Sequence, residues 1–374
     1  MPKATAAAPV LSARALNRAT LARQMLLERS DRDALAAVER LAGLQAQLPR
    51  PPYVGLWSRL AGFEREHLTR LALDRRVARG TLMRATLHLV SAADYGWMRA
   101  TVQPCLDAAR RSIAGTALDA IDLERIVRDA RRVVEERPRS FDEIRKALTA
   151  LHPDVNRWAM GYAVRCRLPL VQLPADGQGW GWHGQAPFGS STSWLGPTAD
   201  APADAPRLAR RYLAAFGPAS ASDFGAWSGL RGARELFEGL RADTVVFRDE
   251  RGRELFDLPD APRPPAEQPA PVRFLPEYDN VLLAHDDRSR IVAERFRARL
   301  IAKNLIVPPA FLVDGTVAGT WKLAVKRGTA TLALTPFAKL GRDARRELTE
   351  EGERLARFVE PEARDHVVEV AAPA

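Results

Sequence analysis

The chain has 374 residues, 46% of them apolar, with 56 Lys+Arg against 46 Asp+Glu and a formal net charge of +10. That length exceeds one typical core, so two to four domains are expected; no apolar run reaches the roughly 20 residues of a membrane helix, and the first residues lack the apolar stretch of a signal peptide. Two cysteines, Cys105 and Cys166, without CxxC spacing exclude a disulfide framework and fit a reduced, cytoplasmic protein.

Arginine strongly outnumbers lysine, and its planar fork suits phosphate. A high-GC genome also inflates Arg, Ala and Pro, so composition points toward a nucleic-acid partner without deciding it.

In chain order, "MPKATAAAPV" reads as a frayed tail. An amphipathic helix fits 12–29, and a second runs from an N-cap at Ser30 to about Gln45, with Ala34, Leu35, Val38, Leu41 and Ala42 at helical spacing. A third fits 64–75, with Leu68 and Leu71 inward. In "TLMRATLHLV", Met83, Ala85, Leu87 and Leu89 alternate with Arg84, Thr86 and His88, which predicts one strand with a polar face. Ser91 then caps a helix carrying Trp97.

The same plan recurs. A helix covers 122–137, "SFDE" sets Ser140 and Glu143 in capping-box register for another, and a third spans about 155–167. Two strands around an Asp176–Gly177 turn follow, then helices at 206–216, 221–229 and 231–240 and a hairpin turning near Arg251–Gly252. Three helices and a hairpin, three times over, is the winged-helix plan. The expected class is therefore α+β: three tandem winged-helix units at 11–115, 116–196 and 197–262. After the Pro-rich linker "PDAPRPPAEQPAP", residues 272–374 predict a β-rich, barrel-like domain with turns at Asp314–Gly315 and Arg327–Gly328 and a helix at 342–358.

No metal or cofactor is expected. The six histidines are scattered without zinc-ligand spacing, and the Gly-rich "GQGWGWHG" lies inside a hairpin rather than between strand and helix. Gln45 and Gln47 stand out, because Pro49 forces Leu48 toward extended geometry. On a continuing helix, i and i+2 diverge; on an extended backbone they share a side. The two amides therefore either converge on one point or cap the helix end and tie down the Pro-rich loop. Arg84, Thr86 and His88 make either a solvated edge or a DNA-facing set. Trp180 and His183 belong to a wing on the sugar–phosphate backbone or to a core, and the run from Glu277 to Arg290 is an acidic–basic cluster of the surface-network kind.

"GLQAQLPRPPYVGLWSRL", "RGTLMRATLHLVSAADY" and "FLPEYDNVLLAHDDRSR", together with "VDGTVAGTWK", resemble in matching order the AlkZ/YcaQ-type winged-helix DNA glycosylases of bacteria. The resemblance implies three winged-helix units curved around DNA, a C-terminal β-barrel, excision of N-alkylated purines and unhooking of interstrand crosslinks. It implies that the glutamine–aliphatic–glutamine triplet of the family corresponds to Gln45, Ala46 and Gln47; a sister group has aspartate at the second polar position, so this chain is similar to the crosslink-unhooking branch. The implied partner is double-stranded DNA carrying alkylated purines, bound by a monomer in the cytoplasm at the nucleoid, with Arg50, Arg84, Thr86, His88, Trp180, His183 and Arg288 as DNA contacts. A non-catalytic winged-helix regulator is the other reading, and it would not need the triplet.

Overall fold

The computed structural model describes residues 8–114, 122–177, 179–300 and 306–373. The first seven residues of the expected tail, and the boundary expected between the first two units, lie outside them. The chain enters as strand β1 (Val10–Leu11) and helix α1 (Ala13–Arg23), capped by Ser12 Oγ on the Ala15 N–H. Helix α1 stops well short of residue 29, with Met25 at φ 55°.

Helix α2 (Ala34–Arg40) starts at Asp33 rather than Ser30 and ends before Gln45. Its end is a Schellman-type turn: Ala42 lies at φ 55°, Gly43 at φ 87°, and the Gly43 N–H bonds the Val38 carbonyl at 3.0 Å. A Cβ on Gly43 would sit 2.6 Å from Val90 Cγ1, so only glycine fits this position. That turn directs the chain into β2 (Leu44–Gln45), followed by α3 (Pro51–Trp57), which carries prolines in its first turn, and α4 (Arg65–Leu73).

The stretch expected as one strand is two. β3 (Val77–Thr81) and β4 (Leu87–Ser91) pair antiparallel, because Arg84 at φ 54° and Ala85 at φ 57° close a tight turn between them. The expected alternating polar face thus ends at that turn, and His88 is buried. Ser91 caps α5 (Ala92–Thr101) as expected, and α6 (Gln103–Ala114) follows.

Helices α7 (Leu123–Glu136), α8 (Phe141–Leu151) and α9 (Arg157–Arg167) fall where the apolar spacing puts them, α8 with the Ser140–Glu143 capping box. β5 (Leu170–Gln172) and β6 (Phe188–Ser190) do pair, but the Asp176–Gly177 turn is part of a long loop rather than a tight hairpin. β3 pairs with β5, so the strands after both helical sets share one sheet in the order β2-β4-β3-β5-β6. Gly80 permits this contact: a Cβ there would lie 2.7 Å from the Tyr95 ring and 2.9 Å from the Leu170 carbonyl.

Short α10 (Ser191–Leu195) leads to α11 (Ala205–Phe216), α12 (Ala221–Ser228), α13 (Ala233–Gly239) and the hairpin β7 (Val245–Asp249) and β8 (Glu254–Asp257). β1 adds to β7 in parallel, so Val10, expected in the tail, is in a strand. The remainder contains β9 (Arg273–Leu275), α14 (Asn280–Leu283), α15 (Glu294–Leu300), β10 (Ala310–Val313), β11 (Thr316–Lys326), β12 (Thr329–Pro336), α16 (Arg342–Val359) and β13 (Asp365–Val370). Its five strands run β13-β12-β11-β10-β9 and do not close into the expected barrel. The physical reason is coverage: α16 packs Leu348, Leu355 and Val359 against Leu332, Leu334 and Phe274, so a helix rather than curled strands buries the apolar face.

The largest apolar cluster draws on Ala78, Val90, Tyr95 and Trp97 together with Tyr212, Phe216, Phe224 and Trp227, on one face of the first sheet. A second, with Leu44, Ala46, Leu89 and Trp182, covers the other face. Between these cores the short strand β2 is fixed in place.

Candidate active site

β2 pairs with β4 at the sheet edge, Gln45 opposite His88. Beyond it the Ala46 N–H bonds the Leu87 carbonyl at 2.7 Å, and the Gln47 side chain continues the ladder: its Oε1 accepts the Leu87 N–H at 2.9 Å. The Gln45 Oε1 accepts from Arg84 Nη2 at 2.7 Å. Both amide oxygens are therefore held by donors from one four-residue stretch, 84–87. Gln45 is buried at 8% exposure and Gln47 is half-buried. An amide oxygen has two acceptor positions, so each keeps one after these contacts.

Arg79 clasps the same strand from below. Its Nε donates to the Ala46 carbonyl at 2.9 Å and its Nη2 to the Gln47 carbonyl at 3.2 Å, with the guanidinium 5.8 Å from the Trp182 ring centre. Asn280 Nδ2 donates to the carbonyls of Leu41 and Gly43, at 3.3 and 2.7 Å, and fixes the entry to β2. Neither residue stood out in the sequence, because both act on backbone carbonyls, which carry no side-chain signature.

Burial lowers the pKa of Arg79 to about 10 and that of Arg84 to about 10, the latter with a contribution from the nearby positive charge of Arg288. Both stay cationic at neutral pH, and among the described residues neither is paired with a carboxylate. His88 behaves oppositely. Burial, with the Arg84 charge beside it, pushes its pKa down to about 3, and its Nδ1 lies 3.1 Å from the Thr86 carbonyl. The ring is neutral at physiological pH, so it is no general acid; its Nδ1–H is the one that donates to the Thr86 carbonyl.

Of the residues singled out in the sequence, Gln45, Gln47, Arg84, Thr86 and His88 come together here, and the Arg288 charge acts on Arg84. Arg84 is turned inward: its Nη1 donates to the Trp227 carbonyl. Arg288 Nε is buried without a hydrogen-bond partner among the described residues. Arg50 opens α3 three residues beyond Gln47 and pairs with Glu277 at 3.0 Å. Trp180 is elsewhere: it packs edge-on against Tyr53 with Arg65 stacked 4.0 Å from its ring centre, so it serves a core. His183 is exposed on the long loop before β6.

The profile of the DNA glycosylase AlkZ-like family matches residues 38–358 of the chain. The interstrand DNA cross-link repair glycosylase of Streptomyces sahachiroi is 29% identical over 352 residues, covering 84% of this chain and 88% of that protein. The solved structure of the Streptomyces sahachiroi DNA glycosylase AlkZ superposes with a TM-score of 0.80 at 20% identity, over 97% of this chain and 100% of that one. That superposition shows a shared fold.

Proposed function

The chain belongs to the AlkZ-like DNA glycosylases, and we propose that it hydrolyses the N-glycosidic bond of cationic N-alkylated purines in double-stranded DNA, crosslinked ones included, through Gln45 and Gln47. The observation that carries this reading is the common anchoring of the two amide oxygens on residues 84–87. Crosslinks enter because the Streptomyces sahachiroi relative bears that activity in its name.

Cleavage of the bond builds positive charge on the deoxyribose, and water must attack C1′. A purine alkylated at N7 or N3 is already cationic and departs as a neutral base, so no strong acid is required. The neutral state of His88 agrees with that, since the ring beside the triplet is not an imidazolium that could protonate a leaving group. Preorganised amide dipoles stabilise the sugar cation and hold the water without reorganising as charge develops.

The two glutamines divide the work. Gln47 is the more exposed and is fixed by an uncharged backbone N–H, so its free acceptor position faces the reacting sugar and water. Gln45 carries the Arg84 guanidinium on its oxygen, which orients the amide but tempers its attraction for a cation. Its part is to fix the water and the Gln47 geometry. Arg288 and the exposed arginines take phosphate, where contacts set register rather than sequence.

No lysine flanks the triplet in sequence, so a Schiff-base step is not indicated. Release of 7-methylguanine from methylated duplex DNA by the purified protein, beside variants lacking either amide, tests the whole reading. A protein that binds the duplex and releases no base would instead be a DNA-binding module on a glycosylase fold.

A further inference from the structure

Arg84 is held at two points, and only one of them belongs to the triplet. Its Nη2 donates to Gln45 Oε1 at 2.7 Å, and its Nη1 donates to the carbonyl of Trp227, 143 residues further along the chain. Trp227 lies in the last turn of α12, where helix carbonyls lack an intrahelical partner and the helix dipole attracts a cation. Among the described residues no carboxylate pairs with Arg84, so a helix end takes that place.

That helix end is firmly fixed. Trp227 is buried, with its ring centre 5.1 Å from that of Tyr212 and 6.2 Å from that of Phe224. Ser228 Oγ donates to the Phe224 carbonyl at 2.7 Å and accepts the Leu230 N–H at 3.1 Å, which closes the helix. Near the start of α12, Asp223 Oδ1 accepts the Asp286 N–H at 3.0 Å, tying the helix to the segment that carries Arg288. Gly229 then lets the turn approach. It caps α12 at φ 77°, and a Cβ there would stand 2.4 Å from Cys105 Sγ and 3.5 Å from the Arg84 backbone nitrogen. Arg84 and Ala85 both take positive φ, a costly backbone that persists only where neighbours hold it. Gly229 of α12 and Cys105 of α6 both lie against that turn.

Resting on the glycosylase reading above, we propose that the C-terminal end of α12 positions Gln45 through Arg84, and that Gly229 is the positioning residue that permits the contact. α12 need not touch DNA to do this. Its carbonyl end fixes one side of the guanidinium, and the other side then fixes the amide oxygen. The negative end of the helix also offsets part of the arginine charge. Gln45 is thereby oriented by a cation at less cost to the dipole it offers the sugar.

The test is single-turnover release of 7-methylguanine from methylated duplex by native protein, Gly229→Ala and Ser228→Ala, each variant also made in an Arg84→Met background. Gly229→Ala should slow release by about tenfold at most, the loss expected on removing Arg84 itself, because it acts through that residue. Ser228→Ala loosens the helix end without a clash and should slow release less, which keeps the test decisive if Gly229→Ala does not fold. In the Arg84→Met background neither change should add, and duplex affinity should hold throughout. A loss that persists without Arg84, a parallel loss of affinity, or full-rate release by both folded variants overturns the proposal and leaves Gly229 as a helix cap. Hydrogen exchange at the backbone amides of residues 84–87 needs no catalysis, so it decides the tie even if native protein releases no base. Faster exchange there in the variants than in native protein supports the proposal, and unchanged exchange overturns it.

Discussion

Arg84 and Gln45, 39 residues apart in sequence, meet at 2.7 Å through a guanidinium Nη2 and an amide oxygen. The contact exists because a turn with two residues at positive φ, Arg84 and Ala85, folds β4 back along β3, and the other edge of β4 pairs with β2. Removing the arginine should therefore act through the glutamine. Arg84→Met is expected to slow 7-methylguanine excision on the order of tenfold, from loss of one charge-assisted hydrogen bond. In a Gln45→Ala background the same change should add little, since residues in direct contact are non-additive. Additive losses in single-turnover rates would show that Arg84 acts on DNA independently of Gln45.

His88 sets the pH behaviour. Its pKa is lowered from 6.5 in the unfolded chain to about 3 in the fold by burial, with Arg84 adding to the effect. Below pH 6.5 the unfolded chain therefore binds a proton that the native state refuses, so stability is lost progressively as pH falls from 6.5 toward 3. Above 6.5 both states are neutral and the ring contributes no slope. His285, buried and also lowered, acts in the same direction. Denaturant unfolding at several pH values should show a shallower acid loss for His88→Gln than for native protein. The excision rate should carry no inflection from His88 between pH 6 and 8; a protonated form active near 6.5 would contradict its role as a neutral neighbour.

Much of this arrangement was legible in the sequence. The Ser140-x-x-Glu143 box fixed the start of α8, and apolar spacing placed the helices at 123–136 and 205–216 within a residue or two. Local cap and periodicity signals suffice where one element satisfies its own backbone. The failures share a different cause. Met25, Ala42, Arg84 and Ala85 take positive φ without being glycine, so nothing in the residue types announced the early helix ends or the turn inside "TLMRATLHLV". The β3–β5 pairing and the open C-terminal sheet depend on contacts between distant segments. At the candidate site, Gln45 and Gln47 were legible as two amides ahead of Pro49; Arg79, which holds the backbone of Ala46 and Gln47, and Asn280, which holds the carbonyls of Leu41 and Gly43 before them, were not.

Gly43 offers a way to disturb the triplet without touching it. At φ 87°, with Val90 Cγ1 2.6 Å from where a Cβ would stand, Gly43→Ala forces both strain and a shift of β2. About 1–3 kcal/mol of stability should be lost, measured by denaturant unfolding. Excision should fall further than the folded fraction predicts, because Gln45 follows two residues later. A variant that is destabilised but fully active when folded would show that the site tolerates movement of β2.

The positive charge makes its own prediction. With a net charge of +10 and arginine far in excess of lysine, duplex DNA should be held largely by phosphate contacts from exposed arginines. The logarithm of the affinity should fall linearly with the logarithm of salt, by roughly 0.9 per phosphate contact. Arg288→Ala should reduce that slope by about one contact and weaken all duplexes alike, lesion-bearing or not. A flat dependence on salt would assign the arginine excess to composition alone.

The sharpest separation of enzyme from binder comes from the amides themselves. Gln47→Ala removes a dipole that stays fixed while charge grows on the sugar, and such preorganised groups are typically worth on the order of 10²–10³ in rate. Gln45→Ala should cost less, because its oxygen already carries the Arg84 guanidinium and acts mainly by position. Neither should change duplex affinity much, since the arginine contacts remain. A neutral lesion such as uracil should be a poor substrate for native protein, as the ring nearest the triplet is unprotonated and cannot assist a poor leaving group. The measurement is single-turnover release of 7-methylguanine and of uracil, with binding followed in parallel. Undiminished excision after both amides are removed would place the chemistry at another site. An equal loss of binding and excision would mean that Gln45 and Gln47 only shape the loop that leads into the prolines.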